Sequence, residues 1–171
     1  TYDTTAPTVT SIAVTDVTSG SYGNDATYTV IVTASETLEN EPDLTLAGGT
    51  VGDGAGSVSD TVWTYTFTPS SADQAVTINV GAGDITDVAG NDNSATPTQF
   101  AFTHDRTAPT VVITSGDVST GGSHNGATTM IFTFSEEMTG IANGDFTFTN
   151  CAAGTFSVET ANTVFHQVCP P

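Results

Sequence analysis

Positive charge is almost missing from this sequence. Arg106 is the single Lys or Arg among 171 residues, against 19 Asp and Glu, for a formal net charge of −18. A surface of that sign repels phosphate backbones and anionic headgroups, which excludes nucleic acid as a partner. Long apolar runs are missing too. No stretch reaches the ~20 residues of a membrane-spanning helix, so membrane insertion is not expected. No leader-like segment opens the chain, which says little of a sequence that looks cut from something longer. Cysteine is confined to Cys151 and Cys169, with no Cys-x-x-Cys pair and no His/Cys cluster that suits zinc. The histidines, His104, His124 and His166, are scattered and have no metal-ligand spacing. Nucleophile elbows, P-loops and dinucleotide-binding fingerprints are likewise absent. Gly52-Asp53-Gly54-Ala55-Gly56 is glycine-rich, but it lies between strands with no helix to cradle a phosphate. Counting alone does not exclude a pair of glycosidase carboxylates. No long loop or second subdomain exists to build a cleft around such a pair, so the chain reads as non-enzymatic.

Threonine fills much of the space. There are 35 Thr and 14 Ser, with 17 Gly and 7 Pro. Thr, Val, Ile and Phe suit a pleated, half-buried surface, so the composition is all-β. Exposed threonine rows also suit O-linked sugars, whereas no Asn-x-Ser/Thr sequon occurs. The two cysteines close a loop of a length for which a disulfide contributes about 3 kcal/mol. Such a bond belongs to an oxidising, extracellular compartment.

The organising feature is an internal repeat. Asp3-Thr4-Thr5-Ala6-Pro7-Thr8-Val9 returns 102 residues later as Asp105-Arg106-Thr107-Ala108-Pro109-Thr110-Val111. Tyr28 to Glu36 parallels Thr128 to Glu136, and Pro42 to Leu46 parallels Gly144 to Phe148. Two domains follow, residues 1–104 and 105–171. In the first, turn signals separate seven strands at about 8–16, 26–34, 43–47, 57–60, 61–68, 75–80 and 97–104. Trp63 is expected in the core. In the second, five strands run to about Val168 and the last two are missing. Three explanations stay open: the sequence stops within a domain, another chain donates the missing strand, or this domain folds differently. Between the domains, His104 is expected in a short linker that Pro109 stiffens.

These motifs bring a family into view. With Phe134-Ser135-Glu136-Glu137-Met138, Gly144-Asp145-Phe146-Thr147-Phe148-Thr149-Asn150 and Asp87-Val88-Ala89-Gly90-Asn91, the chain resembles bacterial-type immunoglobulin-like repeats of large extracellular adhesins and surface or filament proteins. The resemblance covers nearly the whole chain. It implies tandem immunoglobulin-like β-sandwiches, the second incomplete, with a structural or adhesive role at the cell surface. The implied partners are neighbouring domains of the same or identical chains. The cysteine pair departs from the cysteine-poor pattern of such repeats.

In a seven-strand sandwich, the start of the first strand, the loop after the second and the loop after the sixth share one pole. That arrangement gathers Asp3, Glu36, Asp87 and Asn91, with Glu39, Glu41, Asp43, Asp84 and Asp92 nearby. Asp105 and Glu136, with Glu137 and Asp145, take the matching places in the second repeat. Calcium wants six to eight oxygens of this kind, so a bound ion would brace the joint between repeats. The competing reading is structural: Gly90 and Asn91 complete a turn, and the other acids are solvated. An alternative function is recognition of glycans or proteins through loops at one pole, for which Tyr2, Tyr22 and Phe165 are the exposed aromatic candidates.

Overall fold

The computed structural model describes residues 2–55, 60–94 and 98–171, and divides the chain into two compact units, Thr1–Thr107 and Ala108–Pro171. Unit 1 contains β1 (Val9–Val14), β2 (Tyr22–Gly23), β3 (Tyr28–Ala34), β4 (Thr45–Ala47), β5 (Gly49–Val51), β6 (Val62–Pro69), β7 (Asp73–Val80) and β8 (Thr98–Asp105). They form two four-stranded sheets, β1-β3-β6-β5 and β2-β8-β7-β4. The expected sandwich is therefore present. One edge differs: the fourth strand, expected near 57–60, falls largely on residues outside those described, and the strand beside β6 is instead β5.

Alternation explains why these segments become strands. In β3, Tyr28, Val30, Val32 and Ala34 are buried while the residues between them are more open. β6 matches this with Trp63, Tyr65 and Phe67, and the register sets Tyr28 opposite Phe67 and Val32 opposite Trp63. From the other sheet, Val76, Ile78 and Val80 of β7 and Phe100 and Phe102 of β8 close the core. A side chain of this size gains about 1.5–3 kcal/mol on full burial. The polar tips inside are mostly accommodated. Tyr65 donates to the Pro42 carbonyl at 2.8 Å, and Tyr28 Oη lies 2.9 Å from His104 Nδ1. Burial raises both tyrosine hydroxyls above their usual range and keeps them as neutral donors. Trp63 Nε1 has no partner among the described residues. His104 is not a linker residue. It sits on β8 opposite Gln74, buried to 2% exposure, because it continues the inward alternation of Phe100 and Phe102.

The chain passes from the second sheet to the first between β4 and β5, through Gly48 and Gly49. Gly48 has φ +83°, and a Cβ there would meet the Ala75 carbonyl at 2.5 Å. A Cβ on Gly49 would meet the Phe67 ring at 2.4 Å. Only glycine lets the crossing lie this close to the core.

Unit 2 contains β9 (Val111–Ser115), β10 (Thr128–Phe134), a 3-10 turn (Asn143–Asp145), β11 (Phe156–Thr160) and β12 (Val164–Cys169). Its sheet order, β11-β12-β10-β9, repeats the first sheet of unit 1. Local bonds repeat as well. Thr5 N donates to Asp3 Oδ1 at 2.9 Å, as Thr107 N does to Asp105 Oδ1 at 3.1 Å. Thr8 N donates to Ser35 Oγ and Thr110 N to Ser135 Oγ, at 3.0 and 2.9 Å. The expected third strand of this repeat is not a strand. In unit 1 its counterpart β4 pairs with β7, and the described residues of unit 2 supply no such partner. Instead Phe146 and Phe148 lie on Phe132, with ring centroids 4.2 and 6.4 Å away. Phe156 stacks on Phe165, which is 2% exposed and so is a core residue rather than a surface aromatic. The structure joins Cys151 to Cys169, their Cα atoms 5.8 Å apart. The bond ties the irregular segment that follows Phe148 to the end of β12.

Phe67→Ala should lower the stability of unit 1 by about 3–5 kcal/mol, read in urea by the emission of Trp63, the chain's only tryptophan. Reduction of Cys151–Cys169, which are 18 residues apart, should cost unit 2 about 3 kcal/mol. The Trp63 transition should stay in place, and mass analysis after alkylation should count two thiols only once the protein is reduced.

Candidate cation site at one pole of unit 1

Two buried aliphatic side chains position this pole. Leu38, wholly buried, pins the loop after β3, and Ile85 pins the loop after β7. Backbone bonds then join the loops: Leu38 bridges Asp87, and Glu39 N donates to the Thr86 carbonyl at 2.9 Å. The chain entering β1 passes alongside. Asp3, Glu36 and Asp87 are brought together as a result, each offering a carboxylate oxygen within 4.8 Å of the others. Asp3 is exposed, Glu36 is half-buried and Asp87 is buried.

Asp87 is the anchor of the group. Its Oδ1 accepts from Ala89 N at 2.9 Å and Asn91 N at 2.8 Å, and its Oδ2 accepts from Asn91 Nδ2 at 2.8 Å. The bond from the Asn91 side chain leads in holding its carboxyl below the usual aspartate range, with the backbone amides adding to it. Gly90, at φ +87°, makes the turn that aims these donors. Asn91 Nδ2 also reaches the carbonyls of Asp3 and Thr5, at 3.3 and 3.4 Å. Asn91 therefore presents nitrogen and acts as a brace between the loop and the incoming chain. Both the turn and the acid cluster are present, so the two readings of Asp87-Val88-Ala89-Gly90-Asn91 are not exclusive.

The remaining acids divide. Glu41 accepts from Gly54 N, Asp84 from Gly81 N and Asp92 from Thr86 Oγ1, so these close loops. Asp105 ends β8 at the opposite pole of unit 1, and Glu136 follows β10 in unit 2. Asp73 escaped sequence reasoning because it opens a strand outside the repeated motifs. It faces Asp105 across the β7–β8 pair, and its Oδ1 accepts from Arg106 N at 2.9 Å and Thr107 N at 3.1 Å. Its Oδ2 takes the Thr107 hydroxyl. The hydroxyl leads in lowering the Asp73 carboxyl below its usual range.

Chemically, the pole offers three carboxylates that repel one another and that a hard cation would reconcile. Each carboxylate has about four lone-pair sites, so oxygens already bonded to amides keep capacity for an ion. The three histidines take no part. His104 is in the core, His124 lies in the irregular loop before β10, and His166 Nε2 is 2.8 Å from Glu159 Oε2, off hydrogen-bond geometry.

A family model described as "Bacterial Ig-like domain" matches residues 3–103 and again residues 105–171. No curated protein matches the chain.

Asp87 and Asp73 set the acid limit of unit 1. Their native carboxyls lie below the value of about 3.9 for an unfolded aspartate, so the stabilisation is complete above that pH. It drains away as pH falls from about 4 through the native values. Trp63 emission should show stability flat down to about pH 4 and declining below it. Asp87→Asn should flatten part of the decline, leaving the part that belongs to Asp73.

Proposed function

Because the chain belongs to the bacterial Ig-like domain family, we propose that it is a load-bearing segment of an extracellular tandem array, with calcium bound at the pole of unit 1. The family was already indicated by the repeated motifs, and it supports a structural or adhesive module in general. Domains of this family are typically surface-exposed and non-enzymatic, and no helix among the described residues is long and apolar enough to cross a membrane. The convergence of Asp3, Glu36 and Asp87 carries the calcium reading. Calcium takes flexible sets of carboxylate and carbonyl oxygens, whereas magnesium demands a tighter octahedron and keeps its waters. An ion here would fasten three separate segments: the chain entering β1, the loop after β3 and the loop after β7. That is the role expected of a brace where one repeat follows another. Recognition of a partner through exposed aromatics has less support. Tyr2 adjoins the acidic pole, while Tyr22 pairs beside Thr103 towards the other end, so they form no common platform.

Thermal unfolding with and without calcium tests the reading. Calcium at about a hundred times its Kd should raise the Tm of unit 1 by about 10 °C. Magnesium should do much less, and Asp3→Asn with Glu36→Gln should remove the rise. An unchanged Tm in millimolar calcium would return the cluster to turn and surface roles.

A further inference from the structure

The pole opposite the acid cluster holds the one cation. Arg106 is exposed, and the single ion pair found among the described residues is between His166 and Glu159. In a chain with 19 Asp and Glu, its only guanidinium has thus no ion-pair partner among the described residues. The nearest acid along the strands, Asp73, is occupied by the Arg106 and Thr107 amides and the Thr107 hydroxyl, and Asp105 by the Thr107 amide.

Arg106 lines an open depression together with Ser70, Ser71 and His104. His104 is 98% buried by its relative exposure of 2%, and its orientation is set from behind. Tyr28 Oη accepts the Asp25 amide at 3.0 Å, which leaves its hydrogen for His104 Nδ1 at 2.9 Å. That network assigns Nδ1 as acceptor and puts the ring proton on Nε2, which has no hydrogen-bond partner among the described residues. The serines have the opposite polarity. Ser70 Oγ and Ser71 Oγ both donate to Gln74 Oε1 at 3.0 Å, so their lone pairs remain available as acceptors.

The depression therefore offers donors, Arg106 and His104 Nε2–H, beside acceptors, Ser70 and Ser71. We infer that it binds a sugar acid: a uronate whose carboxylate meets Arg106 and His104 and whose ring hydroxyls donate to the serines. A planar carboxylate suits the guanidinium fork. A polyanion does not suit the site, because a chain of charge −18 repels it at every other point. A single charge on a hydroxylated ligand keeps the contact and avoids most of that repulsion, which salt at 0.15 M screens beyond about 8 Å.

The test is NMR titration of the full chain at fixed pH and ionic strength in calcium-free buffer, so that it stands apart from the calcium reading. The probes are sodium glucuronate, sodium acetate, glucose and sodium chloride, and the signals are the His104 ring and the Arg106 side-chain N–H. Glucuronate should give saturable shifts with a Kd on the order of 1–10 mM. Acetate should bind more weakly, and glucose and chloride should leave the signals in place. Arg106→Gln should weaken glucuronate at least tenfold. This variant keeps the backbone bonds to Asp73, which unchanged Trp63 emission would verify. Equal binding of acetate and glucuronate would overturn the sugar-acid assignment. Shifts that are linear, that chloride reproduces, or that survive in Arg106→Gln would overturn the site itself.

Discussion

Unit 1 depends on the burial of alternate residues between two twisted sheets. β3 and β6 contribute one wall, β7 and β8 the other, and Phe102 meets the rings of Tyr28 and Phe67 edge-on across the core. Every other feature is hung on that core. Leu38 and Ile85 extend it into two loops, and by doing so they hold the acids of one pole in place. His104 and Tyr28 extend it to the other pole and orient a polar ring there. Neither pole would keep its geometry if the inward set slipped by one residue, since a one-residue slip turns the whole set outward.

The charge is arranged around this core and not through it. Asp87 is the one acid that is deeply buried among the described residues, and it is matched by three donors from its own loop. Aspartates elsewhere bind backbone amides near strand ends and at the 3-10 turn. Asp84 does so for Gly81, Asp117 for Thr129 and Asp145 for Ala142. Short acidic side chains thus complete turns, while the surplus charge remains in solvent. Unit 2 follows the same rule with fewer layers. Its aromatic residues, chiefly Phe132, Phe146, Phe156 and Phe165, gather on one sheet, with the Cys151–Cys169 bond fastening the segment between the 3-10 turn and β11.

Much of this was readable from the residues. Period-two alternation located β3, β6 and β8, and the copied Asp-x-Thr-Ala-Pro motif marked equivalent turns whose hydrogen bonds are the same in both copies of the motif. The meeting of Asp3, Glu36 and Asp87 followed from topology alone, because loop position in a sandwich is fixed once strand order is known. What escaped was set by partners distant in sequence. Phe146 and Phe148 carry a strand-like pattern but have no neighbouring strand to bond. His104, the last residue of the strand read at 97–104, looked like the start of the linker because nothing local reveals that its ring packs against Tyr28 of β3. Asn91 reads as a ligand in a string of acids, whereas the direction of its amide depends on the carbonyls of Asp3 and Thr5.

The course of the chain through unit 1 has a mechanical meaning. It enters β1 at the acidic pole and leaves β8 at the opposite one, so its ends point away from each other along the strands. Tension between those ends acts parallel to β1 and perpendicular to the hydrogen bonds that join β1 to β3. Such bonds yield in shear, all sharing the load together, and do not open one after another as a zipper does. Asn91, reaching to the carbonyls of Asp3 and Thr5, stands where that pull first arrives.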